Sequence, residues 1–206
     1  MKTDRNEPKE TESSSLGQVK EVLGSVLSAI GTIEAALGST PLPFINNQLG
    51  IDLRKIGNVL QATGNALSAD GQGTPLSFEQ LGDEIQAVGN STVLVGLYIN
   101  YGSDNSQKLI ITGNWLQSIG SFVGLTDEYY NSTPSGRWEN IVGGYLQGIG
   151  NALQAVDGTE QLKKPTKQTI YSLGVIGSWI QALGSVISLI GQIKEETQEL
   201  ELGINE

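Results

Sequence analysis

The chain has no cysteine and no histidine. Without thiols there is no disulfide framework and no thiolate nucleophile or ligand. Without imidazole, the commonest metal ligand, the usual general base at neutral pH and a Ser-His triad are excluded. Ferritin-like carboxylate sites built on Glu-x-x-His go with them. Positive charge is scarce as well: 12 Lys and Arg stand against 22 Asp and Glu, for a formal net charge of −10. Such a balance lacks the basic patches that nucleic acid requires. It also gives no electrostatic pull toward anionic lipid. Mean hydropathy is slightly negative, −0.12, and every long uncharged stretch carries Gln, Asn or Ser.

Glycine is abundant, and it is ordered. One unit recurs: Gly57-Asn-Val-Leu-Gln-Ala-Thr-Gly64-Asn65, then Gly82-Asp-Glu-Ile-Gln-Ala-Val-Gly89-Asn90, then Gly113-Asn-Trp-Leu-Gln-Ser-Ile-Gly120-Ser121. It returns as Gly143-Gly-Tyr-Leu-Gln-Gly-Ile-Gly150-Asn151 and Gly177-Ser-Trp-Ile-Gln-Ala-Leu-Gly184-Ser185, with a looser copy at Gly24-Ser-Val-Leu-Ser-Ala-Ile-Gly31-Thr32. The glycines stand seven apart, and 19 of the 27 obey the spacing. A seven-residue period with apolar partners is helical.

Counting from each glycine, positions +2, +3 and +6 are large and apolar, and +5 is mostly small. The other arc holds Gly, Asn or Ser at +1 and Gln at +4. Each repeat therefore reads as an amphipathic helix, expected to pack on its Leu/Ile/Val/Trp face. Trp115, Trp138, Trp179 and Tyr145 share the +2 position, and core packing is expected for them too. A helical Gly costs about 1 kcal/mol relative to Ala, so this many need compensation. Close approach of another backbone supplies it. The expected helix-contact glycines are Gly24, Gly31, Gly57, Gly64, Gly82, Gly89, Gly113, Gly120, Gly143, Gly150, Gly177, Gly184 and Gly191.

The expected fold is all-α: a six-helix bundle, or a short antiparallel array of helical hairpins built from heptad-spaced glycine repeats. The expected helices cover about 15–38, 46–69, 78–100, 105–124, 134–156 and 166–200, in one domain over 15–200. Residues 1–14 read as a disordered N-terminal tail and 201–206 as a C-terminal tail. Ser13 to Ser15 offer an N-cap for the first helix, and Ser77-Phe-Glu-Gln80 reads as a capping box for the third. The stretch 91–100 is β-branched enough to pass for a strand, but the glycine phase runs through it, so it is read as helix. The tip Asp127-Glu128 reads as part of a solvated loop. Asn-Ser-Thr triplets at Asn90 and Asn131 read as chance matches to a glycosylation acceptor.

The recurring Gly-Asn-x-Leu-Gln-Ala-x-Gly-Asn unit resembles that of repetitive, uncharacterised proteins of Gram-positive spore-forming bacteria such as Bacillus. The resemblance covers about 15–200 and implies a bacterial origin. It brings no activity and no catalytic residues to carry over.

No enzymatic activity, cofactor, metal or small-molecule ligand is indicated. The N-terminus has no apolar leader, so a cytoplasmic location is expected. The leading expectation is a structural or self-assembling protein, a possible homo-oligomer making close Gly-mediated contacts within or between chains. The alternative is a membrane-active or pore-forming protein: a soluble bundle whose helices 3 to 6 can invert around lipid, its Gly/Gln/Asn face then lining a pore. A bundle holding a small apolar ligand is a third reading, with no residue in its favour.

Overall fold

The computed structural model describes residues 7–130, 135–165 and 169–204, with side chains described over 15–130, 135–165 and 169–202. Six helices follow one another: α1 (Glu7–Ser39), α2 (Asn47–Gln72), α3 (Phe78–Tyr98), α4 (Asp104–Glu128), α5 (Arg137–Lys163) and α6 (Leu173–Ile204). The fold is all-α, and the described residues contain no strand. The β-branched half of α3 is helical, in phase with Gly89 and Gly96. α1 starts well before the serines expected to cap it, through Glu7-Pro8-Lys9. Proline is tolerated in a first turn, where no hydrogen bond is lost. Ser77 does cap α3, its hydroxyl accepting from the Gln80 N–H at 2.8 Å. Asn46 and Ser103 do the same for α2 and α4. Asp157-Gly158 does not end α5, which continues to Lys163.

The helices pair first as three antiparallel hairpins, α1–α2, α3–α4 and α5–α6. α2 then packs on α3, α4 on α5, and α6 returns to α1. No other pair of these helices brings its backbones within 8 Å, Cα to Cα. Six helices that each touch two neighbours form a closed ring around an axis.

The glycines make the hairpin seams. In α1–α2, Gly17 faces Gly71, Gly24 faces Gly64, Gly31 faces Gly57 and Gly38 faces Gly50. In α3–α4 the pairs are Gly82 with Gly120 and Gly89 with Gly113. There Gly96 meets Ser106, whose hydroxyl donates to the Gly96 carbonyl at 2.7 Å. In α5–α6 they are Gly143 with Gly184 and Gly150 with Gly177, while Gly191 lies against Gly136 and Asn140. A Cβ on Gly31 would stand 2.5 Å from the Gly57 carbonyl oxygen, and one on Gly57 would stand 2.5 Å from that of Gly31. The backbones touch, so no side chain fits between them. All 13 glycines singled out in the sequence lie on these seams.

The expected side-chain core is inverted. At position +6, Leu23, Ile30, Ile56, Val88, Ile119, Ile149, Leu183 and Ile190 are all 45–58% exposed. At +2, Val59, Trp115, Tyr145 and Trp179 are exposed, and Trp138 is more so. All 12 aromatic residues are exposed, which corrects the expectation that the tryptophans and Tyr145 pack inside. What lies inside is the other arc. Asn58, Asn65, Asn90, Asn114 and Asn151 at +1 are buried, as are Gln61, Gln117 and Gln181 at +4. The reason is geometric. Backbones brought into contact by the glycines turn the neighbouring +1 and +4 positions to the axis. Position +6 is carried to the outside by the same rotation.

Candidate functional site: a polar lumen with an acidic end

The lumen is built from the repeat itself. Gln61 (α2), Gln117 (α4) and Gln181 (α6) hold the same place in three copies, one per hairpin, and meet on the axis. The Gln181 side-chain amide donates to Gln61 Oε1 at 2.9 Å and to Gln117 Oε1 at 3.3 Å. Gln154 in turn donates to Gln181 Oε1 at 2.8 Å. Gln61, Gln117 and Gln181 are 3–6% exposed, so the node sets hydrogen-bonded amides across the lumen.

One turn below the node, Asn65, Ser121 and Ser185 line a cavity of about 100 Å³. Odd-numbered helices supply Ser28, Gln86 and Gln147 at the +4 place of their own repeats. Their hydrogen bonds run around the wall. Ser28 donates to Asn65 Oδ1 at 2.9 Å, Ser121 to the Gln117 carbonyl at 2.9 Å, and Gln147 to Ser188 Oγ at 3.0 Å. The volume admits several waters, since one requires roughly 10–15 Å³ of such space.

The floor of the cavity is acidic. Glu79 and Asp83 come from the first turns of α3, and Glu128 from the last residue of α4. The expectation of a solvated Asp127-Glu128 loop fails here. α4 runs through both residues, and Glu128 is only 6% exposed. Asp127 Oδ2 accepts from the Glu79 N–H at 2.8 Å, satisfying one of the free donors at the start of α3. Burial raises the Glu128 carboxyl to about 7, against a hydrogen bond with Asn140 that opposes the shift. Burial raises Asp83 to about 7 as well, opposed by a hydrogen bond with Ser68. Glu79 is pushed well above its ordinary value by burial and by the neighbouring charges of Asp83, Glu195, Glu128 and Glu21. Glu195 accepts from Asn140 Nδ2 at 2.8 Å, and Gln192 bridges Glu196 and Glu21.

These acids are invisible as a group in the sequence. They lie at opposite ends of their helices and gather only because the helices alternate in direction. The glutamine node had a signal: Gln at +4 in five copies, on a face short of charge. Glu34, Asp52, Glu84 and Glu139, the acids weighed in the sequence for an acid/base pair, do not line the cavity. Asn90 is 1% exposed, so its Asn-Ser-Thr triplet is no acceptor; Asn131 lies outside the described residues. No group of three or more acidic side chains among the described residues is placed to share a metal ion.

Fold and site together define a closed antiparallel ring of six helices with a polar lumen. The chain belongs to a family described as a family of unknown function (DUF6944), whose model matches residues 19–189. No curated protein and no solved structure matches it.

Proposed function

We propose that this chain is a non-enzymatic, membrane-embedded helical bundle whose lumen holds polar groups and whose outer surface faces lipid. The observation that carries the reading is the radial order of the side chains: amides and hydroxyls predominate on the axis, while all the aromatic and most of the large aliphatic side chains point outward, with Val93, Leu97 and Ile110 a small buried apolar cluster. In water this arrangement leaves large apolar side chains uncovered on every helix, and contiguous exposed apolar surface marks an interaction site. A bilayer covers a band on every side at once, and helices in lipid satisfy their backbone groups internally.

Three further features fit. Ser15–Ser39 and Leu173–Leu202 are long and apolar enough to cross a membrane, and only 28% and 39% of their most apolar windows are buried in the bundle. Exposed aromatics gather toward the two ends of the ring: Phe44, Tyr98, Tyr101, Tyr171 and Trp179 at one, Phe78, Tyr129, Tyr130 and Trp138 at the other. Such belts mark membrane–water interfaces. Lys55 sits 4.4 Å from the centre of the Tyr98 ring, placing a cation where a snorkelling stem would leave it. The acids Glu79, Asp83 and Glu128 fall outside the uncharged stretches 85–103 and 109–126.

Self-assembly through the glycine faces loses its support, because those faces are already filled within each hairpin. The test is extraction and flotation of the full chain with phospholipid vesicles. Co-flotation that resists high salt and alkaline washing, with release only by detergent, is the expected result. A monodisperse monomer in detergent-free buffer that stays at the bottom of the gradient overturns the reading.

A further inference from the structure

We propose that the acid-floored cavity is a binding site for a small organic cation carrying several N–H donors, of the guanidinium or methylammonium class. Four observations converge on it. The charged side chains lining the cavity, Glu79, Asp83 and Glu128, are all acidic. Of the nearby cations, Lys20 pairs with Asp70 and Lys194 with Glu139, while Arg137 donates to the Tyr129 carbonyl and is one positive charge beside three acids at this end, its charge reaching Glu128. Glu128 lines the cavity, is 94% buried by its 6% exposure, and its Oε2 has no hydrogen-bond partner. A buried acceptor left bare is costly, and a donor in the cavity would remove that cost. Finally, Ser28 and Ser121 send their protons into the wall, so their oxygens are left as acceptors.

The class of cation follows from the spacing. A bare metal ion needs oxygens converging at about 2.0–2.6 Å, and the acids are not grouped for that. A guanidinium or ammonium reaches outward with directed N–H groups and bridges acceptors set farther apart. The cavity of about 100 Å³ is of the right order for such a molecule. The inference rests on the interior alone and does not depend on what covers the outside of the ring.

Charge surrounds the site from most elements packed against it. Glu21 faces it from α1, Glu79 and Asp83 from α3, Asp127 and Glu128 from α4, Arg137 from α5, and Glu195 and Glu196 from α6. α2 contributes Asn65 and Ser68, which are uncharged. Bound cation and bound proton compete for the same carboxylates, so binding strengthens as pH rises through about 7.

Isothermal titration of the full chain, in detergent where its solubility requires it, tests this with methylammonium, guanidinium, potassium and calcium chlorides as separate titrants at millimolar concentration. The expected result is saturable binding of methylammonium or guanidinium, tighter above pH 7 than below. Glu128→Gln, which keeps the shape and removes the charge, should weaken it by about tenfold to a hundredfold. Asp83→Asn is the second variant, should the first fail to fold. Saturation by potassium or calcium in preference to the organic cations overturns the ligand class. Absence of saturable binding by any of the four overturns the site, and leaves the membrane reading to stand or fall on flotation.

Discussion

Alanine at Gly31 puts a number on the seam. The added methyl would meet the Gly57 carbonyl oxygen at 2.5 Å, with Gln61 N and Leu60 Cβ at 2.9 Å. Two of these three atoms are backbone, so no rotamer relieves the contact. The seam must open by roughly 0.5–1 Å, a gap that forfeits a quarter to a half of each dispersion contact across it. Overpacking of this kind costs about 1–3 kcal/mol. Against it stands the gain of about 1 kcal/mol for replacing a helical glycine by alanine. The net expectation is a loss of up to about 2 kcal/mol, or up to about 8 °C in melting temperature for a chain of this size. Gly124→Ala is the control: it too is helical, but the nearest atom to its Cβ would be 3.8 Å away. It keeps the propensity gain without the clash and should raise the melting temperature by about 2–4 °C. Thermal melts followed by far-UV circular dichroism in one detergent compare the two directly. Opposite signs are expected. If Gly31→Ala melts at or above the parent temperature, backbone contact does not set the seam. The double variant Gly31→Ala with Gly57→Ala should cost less than twice the single change, since both open the same gap.

Three further outcomes follow from the lumen and the outer face. Asp83 and Glu128 hold protons more tightly folded than unfolded, so their contribution to stability is greatest below about pH 4 and is lost as pH rises through about 7; Asp83→Asn or Glu128→Gln should flatten that decline in melts taken across the range. Gln181→Leu strips donors or acceptors from Gln61, Gln117 and Gln154 at once, and should cost on the order of 3 kcal/mol in the same assay. A loss below about 0.5 kcal/mol would mean that the node is not formed. In vesicles containing brominated acyl chains, Trp115 near the middle of α4 should be quenched by bromines deep in the chains, whereas Trp138 and Trp179 near the ends respond to shallow ones. Quenching by aqueous iodide alone for all three would contradict a lipid-facing surface.

The helical fold was legible because two independent signals agree. The heptad of glycines sets the period, and Ser77 marks a start that the backbone uses. The pairing register was legible in part: glycines seven apart can face one another only in steps of two turns, but which helices pair depends on closure of the ring. What the pattern could not give is the direction of the core. A wheel with one apolar arc and one Gly/Asn/Gln arc has two solutions, and the habit of water-soluble proteins selects the wrong one here. Trp115 and Trp179 share a helical place with Val59, and nothing about that place states whether it points in or out. The acidic floor was hidden for another reason: Glu79 and Glu128 are 49 positions apart and meet only through the α3–α4 hairpin.

The features that look wasteful in water acquire a use in lipid. Between helices surrounded by hydrocarbon, burying leucine gains almost nothing, because the tails are as apolar as the side chain. Association must then come from backbones close enough for full van der Waals contact and from polar groups that find partners only inside. Gly31 against Gly57 and Gly143 against Gly184 supply the first, and Gln181 with Gln61 and Gln117 supplies the second. The same account explains a mean hydropathy near zero in a chain read as membrane-embedded. Polar residues on the axis and charged ones at the ends cancel the apolar outer arc in any average over sequence. The radial arrangement keeps them apart.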